Sequence, residues 1–449
     1  MKTTPPPASR APDWWQTIRW VTNPLEFLDS VAPAQRDIFS APARNFPRVF
    51  LVSHPQALQQ IFSNDKQKFC VSPNRWMQPA VGDYSIFVLD GDRHRRMRKL
   101  LLPPFHGDRM RTYGETICTQ ADAAFHQMRP GESFVARTVM QTISLDIILR
   151  AVFGMSEGER FQQLKQLIPA LLDTFQSPLT SGALFFPGLR KDWSRWSPWG
   201  RFCHLRRQID RLIYGEICDR KTHYDPNRTD ILNLLIGARD EAGQSMTNEE
   251  LHDELMTLLM AGHETTATAI AWAMYWIHRT PAVRERLLAE LNDLDHFDPI
   301  HIAKLPYLSA VCNESLRIYP VVIMTGPRAV KEPVELLGYP LEAGTGLYGC
   351  IYLTHRRPDL YPEPEQFRPE RFLKRQFSPY EFLPFGGGVR RCIGEALALF
   401  EMKLVLATML SRCQLALADR KPERPQRRAV TLAPGNGVRM VFQGMRSKE

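Results

Sequence analysis

Residues 384–401 read PFGGGVRRCIGEALALFE, and the rest of the chain is best understood outward from them. Three glycines, Gly386 to Gly388, let the backbone take conformations closed to other residues and approach a flat ligand closely. Cys392 follows, and Ile393-Gly394 lead into a stretch with the apolar spacing of a helix, predicted over about 395–411. A sulfur at a helix N-terminus sees free N–H groups and the positive end of the dipole, which favour the thiolate, the form that binds metals. Arg390, two residues earlier, can reach a carboxylate on such a ligand. For a lone cysteine, the plain alternative is a buried thiol beside a Gly-rich turn.

The string Phe385-x-x-Gly388-x-Arg390-x-Cys392-x-Gly394 resembles the haem-binding loop of cytochromes P450 at every defining position. The resemblance implies a mainly α fold with a smaller β-rich part, the cytochrome P450 fold. It also implies haem b (iron protoporphyrin IX), its iron held by Cys392 as thiolate, which pushes electron density onto the metal and eases O–O cleavage.

Further parts of the chain match in the order the family requires. Ala261-Gly262-His263-Glu264-Thr265-Thr266 resembles its acid–alcohol pair. Small Ala261 and Gly262 leave room for O2, Thr265 can bond back to a carbonyl four residues earlier and loosen the helix, and Glu264 relays protons. His263-Glu264 also begins a look-alike of the zinc motif HExxH, but the fifth residue is Ala267, so that reading fails. Glu314-x-x-Arg317 places two side chains one helical turn apart. With Arg371 they match the family's structural lock behind the cysteine loop. His94 and Arg98, four apart, match positions where soluble bacterial members place partners for the haem propionates. Arg328, in GPRAV, and Arg390 complete the candidate set, and arginine suits carboxylates through its planar two-donor fork.

Composition is that of an ordinary globular chain, with 449 residues, 44% hydrophobic and 23% charged. Eight cysteines are scattered without CxxC spacing, unlike a disulfide framework or zinc ribbon, and fit a reducing cytoplasm. The start has no apolar run like that of a signal peptide. The longest apolar helical stretch, about 255–277, contains His263 and Glu264, so a buried helix is expected rather than a transmembrane anchor. Trp14, Trp15 and Trp20 could touch a membrane surface. Net charge is +9, but no nucleic-acid motif accompanies it, and an acidic protein partner is the better reading.

In organisation, residues 1–40 are a Pro-rich segment with no specific match, and 41–449 are expected to form one domain. FPRVFLVS (Phe46 to Ser53) is strand-like. A long loop is predicted between 177 and 200, where Pro, Gly and Trp cluster. A helix is predicted over 248–279, capped by Thr247 with Glu250 three residues on and stopped before Pro281. VKEPVELLGYPLEAGTGLYG alternates apolar residues with turn signals and predicts short antiparallel strands.

The resemblance implies a monooxygenase similar to soluble bacterial members, cyanobacterial ones included. One atom of O2 enters a hydrophobic substrate (a fatty acid, alkane or terpenoid) and the other leaves as water. No flavin, iron–sulfur or dinucleotide motif is present, so a separate ferredoxin or flavodoxin-type donor, with its reductase, is expected to dock by its acidic face near Lys374, Arg375, Arg390 and Arg391. The family's pocket walls fall here on Met77, Ile86, Phe87, Val88, Ala261, Val322, Ile323 and Met324, all apolar. Two alternatives stand beside this reading. One is a haem-thiolate enzyme that rearranges peroxides, against which the intact Glu264-Thr265 pair argues. The other is a non-enzymatic haem sensor or electron carrier, which would need a second axial ligand such as His263.

Overall fold

Helices dominate and strands are short, most of them three or four residues, so the mainly α expectation holds. The computed structural model describes residues 12–446 apart from 36, 42–48, 66, 72–74, 106–108, 127, 176, 187, 189, 191, 193–195, 295 and 429. Two units can be distinguished, one of residues 1–73, 309–392 and 424–435, the other of 74–308, 393–423 and 436–449. Each is discontinuous in sequence, which is why no linker composition marks a boundary.

The first unit is built on a five-stranded sheet. Its strands β1 (Ile38–Ala41), β2 (Val49–Val52), β3 (Phe69–Val71), β4 (Arg328–Val330) and β7 (Gly346–Gly349) lie in the order β1-β2-β7-β4-β3. A separate hairpin joins β5 (Val334–Leu336) to β6 (Tyr339–Leu341). Leu337 and Gly338, both at positive φ, turn it, as the alternating pattern predicts. One pairing departs from the antiparallel expectation, since β7 runs parallel to β2 with Val49 opposite Gly346. Of the strand-like stretch 46–53, residues 46–48 lie outside the described residues and Val49–Val52 form β2.

One face of the sheet is covered by the helix Pro55–Ser63. Pro55 sits in its first turn, and Ala57, Leu58, Ile61 and Phe62 line a single buried stripe. These side chains pack with Phe50, Val52, Phe69 and Leu347. Residues 13–41 are no appendage, because Leu25, Phe27, Leu28 and Phe39 bury with Leu51, Tyr352, Leu353 and Leu432.

In the second unit the helix Asn248–Arg279 forms with the expected capping box between Thr247 and Glu250. At ~1.5 Å per residue it spans about 48 Å. From Thr266 to Met274 every side chain is buried, and the helix packs along Ala136–Phe153. A helix apolar on all sides belongs in a core. No helix among the described residues is long and apolar enough to cross a membrane. The predicted loop over 177–200 is partly helical instead. Pro178 opens a helix to Phe185, and Pro198 opens another to Thr222. Proline at the first helical position starts a helix as readily as it stops one.

Candidate active site

In the first unit, the loop bearing Cys392 is fixed residue by residue. Gly386 and Gly388 adopt φ of +73° and +65°, the left-handed region that favours glycine. Gly387 lies against Phe62, whose ring a Cβ there would meet at 2.6 Å. A short 3-10 turn covers Gly388–Arg390, and the Cys392 N–H closes the loop on the Phe385 carbonyl at 3.0 Å.

Of the eight cysteines, two are exposed, Cys392 and Cys218. Cys392 is exposed, whereas Cys312, Cys350 and Cys413 are buried. Burial pushes the thiols of Cys350 and Cys413 up to about 12, which keeps them protonated and inert. Cys218 is also exposed, but it sits within the helix Pro198–Thr222 with no glycine loop around it. An accessible sulfur on a rigid loop of glycines fits a flat, metal-centred ligand.

Behind the loop lies the lock predicted from Glu314, Arg317 and Arg371. Glu314 and Arg317 are fully buried, and the Glu314 carboxylate accepts from Arg317 Nε at 2.7 Å and Nη2 at 2.8 Å. It also accepts from Arg371 Nε at 3.1 Å and from the Arg368 N–H at 2.8 Å. Arg317 Nη1 donates to the His355 carbonyl at 2.9 Å. The His355 ring in turn accepts the Leu383 N–H at Nε2, at 3.0 Å. Burial first, and the Arg317 charge second, push that imidazole down to about 3, so it stays neutral and able to accept. The chain of contacts ends one residue before the loop begins. Sequence reading missed His355, whose only signal is its place among Arg and Pro residues.

Arg328 begins β4 and is 1% exposed. Its Nε and Nη2 grip the two carboxylate oxygens of Asp65, Nη2 also reaches the Gly387 carbonyl at 3.2 Å, and Nη1 reaches the Gly326 carbonyl at 3.0 Å. Each nitrogen of this expected propionate partner is therefore already directed at an acceptor within its own unit. Asp65 was not foreseen from sequence, since it is one polar residue in an unremarkable turn.

The second unit carries the other predicted residues. Glu264 is held by two donors of the neighbouring helix, Arg137 Nη2 and Gln141 Nε2. Thr265 Oγ1 donates to the Ala261 carbonyl at 2.7 Å, the bond expected of it, yet the helix runs on unbroken rather than loosening. His263 is buried, with Nδ1 against the Leu259 carbonyl at 2.9 Å. His94 and Arg98 lie one turn apart on the helix Gly91–Leu101, His94 buried and Arg98 half-buried. The predicted wall residues 86–88 follow a turn anchored to the long helix, where Asp253 accepts the Tyr84 N–H at 2.8 Å and Thr257 donates to Ser85 at 2.7 Å.

A glycine loop presenting one accessible cysteine, backed by a buried Glu-x-x-Arg lock, in a mainly helical protein with an acid–alcohol pair, defines the haem-thiolate class of oxygenase. The profile described as "Cytochrome P450" matches residues 5–440. "Putative cytochrome P450 135B1" of Mycobacterium tuberculosis is 36% identical, covering 98% of this chain and 92% of its own length. "Putative cytochrome P450 138" of Mycobacterium bovis is 34% identical over 98% of this chain and 96% of its own. The structure of retinoic acid-bound cyanobacterial CYP120A1 shares the fold, with a TM-score of 0.84 at 24% identity, covering 97% of this chain and 98% of that one. The chain belongs to the cytochrome P450 family. It is a haem-dependent monooxygenase.

Proposed function

We propose that this enzyme hydroxylates or epoxidises a small hydrophobic substrate, of the fatty acid, alkane or terpenoid class, with Cys392 as the iron ligand of haem b. The observation that carries the assignment of Cys392 is its exposed thiol on a loop pinned from behind, while burial keeps the thiols of Cys350 and Cys413 protonated. When bound, the haem supplies activation of O2 and delivery of one of its atoms. The balance is substrate R–H, O2, two electrons and two protons going to R–OH and water.

The protein's own part is positioning and proton supply. His94, Arg98, Arg328 and Arg390 supply cations to the haem carboxylates, and Phe385 and Gly388 form the cofactor face of the loop. Glu264 takes protons from water at one Oε and passes them inward, and Arg137 and Gln141 fix where it waits. Thr265 offers the hydroxyl beside it in sequence, with its own proton directed to Ala261. A low-water pocket follows from the apolar residues Ile86, Phe87 and Val88. Retinoic acid, which the structurally similar cyanobacterial protein binds, is an apolar chain ending in a carboxylic acid.

Electrons come from a separate acidic ferredoxin or flavodoxin-type protein and its reductase. Exposed Lys374, Arg375 and Arg391 support that docking, although Arg375 is already paired with Glu381. Scattered cysteines with no disulfide among them support a cytoplasmic setting.

The test is the carbon monoxide difference spectrum of the reduced protein and of Cys392→Ala. A strongly red-shifted Soret band in the wild type, lost in the variant, supports the assignment. An unchanged spectrum in Cys392→Ala removes Cys392 as ligand. Spin-state shifts on adding fatty acids or terpenoids then sort the substrate class.

A further inference from the structure

The loop that bears Cys392 is gripped by a buried ion pair that no sequence motif announces. Asp65 lies in the turn between the helix Pro55–Ser63 and β3, and Arg328 opens β4. The two side chains are 2% and 1% exposed. Asp65 accepts from Arg328 through both oxygens, and its Oδ2 also accepts the Val389 N–H at 3.1 Å. Arg328 Nη2 donates to the Gly387 carbonyl at 3.2 Å. The pair thus holds the loop by one acceptor and one donor, at residues 387 and 389, on either side of Gly388.

The fit leaves no slack. A Cβ on Gly388 would stand 2.1 Å from Asp65 Oδ2, at a φ of +65°. Phe62 blocks the same loop at Gly387, and the Arg328 guanidinium stacks over its ring at 5.3 Å. Helix, turn and strand therefore converge on three residues, the last of them three before Cys392.

We propose that Asp65 and Arg328 are positioning residues for the thiolate. They set the place and rigidity of residues 387–389, and through them the place from which the Cys392 sulfur is offered. This rests on the reading of Cys392 as iron ligand. Arg328 can serve both the loop and a haem carboxylate, because a guanidinium carries five N–H donors. Removing one member of a buried pair leaves the other uncompensated, which is the costly case.

The experiment compares holoenzyme carrying Asp65→Asn, Arg328→Gln and both together. Amide hydrogen exchange of the peptide covering 383–392 reports loop rigidity, and the lifetime of the red-shifted carbon monoxide band reports thiolate ligation. Asp65→Asn is expected to speed exchange of that peptide by about tenfold or more and to shorten the lifetime of the band. In the double variant the peptide is expected to exchange no faster than in Asp65→Asn alone, as coupled partners require. Asp65→Glu keeps the charge on a longer arm, and a smaller effect in the same direction is expected. It carries the test if Asp65→Asn does not accumulate.

Wild-type exchange and band lifetime in Asp65→Asn, or in Asp65→Glu where that variant carries the test, overturn the proposal. A wild type without the red-shifted band refutes the Cys392 assignment instead, a distinct result.

Discussion

Replacing Glu314 with Gln should be among the most damaging conservative changes available in this protein. The carboxylate takes four N–H groups, from Arg317 Nε (2.7 Å) and Nη2 (2.8 Å), Arg371 Nε (3.1 Å) and Arg368 N (2.8 Å). An amide of the same shape has one acceptor oxygen and one NH2 group. With the NH2 at the Oε2 position it opposes the Arg317 Nε–H, donor against donor. Turned the other way, it opposes three donors. The better orientation still loses one hydrogen bond to a charged group, about 1.5–3 kcal/mol, and removes the counter-charge of a fully buried guanidinium. Breaking buried pairs costs about 3–5 kcal/mol in total, against a whole-protein stability of about 5–15 kcal/mol. Urea unfolding followed by tryptophan fluorescence should show the unfolding free energy lowered by that amount, seen as a lower midpoint with little change in slope. Arg371→Gln should cost less, since Arg371 is 10% exposed and gives Glu314 one long bond. A Glu314→Gln loss under about 1 kcal/mol, or a larger loss for Arg371→Gln, would refute the reasoning.

Glu264→Gln should lower turnover by about 10²-fold or more while leaving haem content and the carbon monoxide band intact; the rate of product formation with excess electron donor measures it, and wild-type turnover would remove Glu264 from proton supply. His252 lies between Asp210 and Asp253, at 3.0 and 2.8 Å, against Tyr214 and near Arg206. Burial pushes its pKa down, but the two carboxylates outweigh it and raise it above 6.5. Its contribution is therefore fully present below 6.5 and lost as pH rises through the raised value, so the thermal-stability gap between wild type and His252→Gln should narrow on going alkaline. A gap that widens instead contradicts the sign. Reversing Lys374 and Arg375 to Glu should slow reduction by an acidic donor about tenfold and flatten its salt dependence, as stopped-flow reduction across a salt series would show; unchanged rates place the docking face elsewhere.

Local chemistry made much of the molecule readable. The capping box at Thr247 and Glu250 needs only neighbours three residues apart, and the long helix begins where it predicts. The β5–β6 hairpin is equally local, an alternating pattern around one turn. The same kind of reading fails at Pro178, where proline next to Ser, Gly and Ala predicts a loop although it also suits the first position of a helix. It predicts antiparallel strands where β7 in fact also pairs in parallel with β2, nearly 300 residues away. No short-range signal encodes such a partner.

The sequence by itself determined the family and the Glu-x-x-Arg lock, and it singled out Cys392, Glu264 and Thr265 as the candidates for its chemistry, because each is a set of side chains at fixed short spacing whose chemistry demands those residue types. Tertiary structure alone decided what those groups touch. Arg328 turned out to be committed to Asp65 and the Gly387 carbonyl, Glu264 to Arg137 and Gln141, and Arg317 to the carbonyl of His355. These partners lie 38 to 263 positions away, and a buried charge takes whichever counter-charge and carbonyls the fold brings within about 3 Å. That choice is made by strand register and helix packing, which depend on the whole core at once.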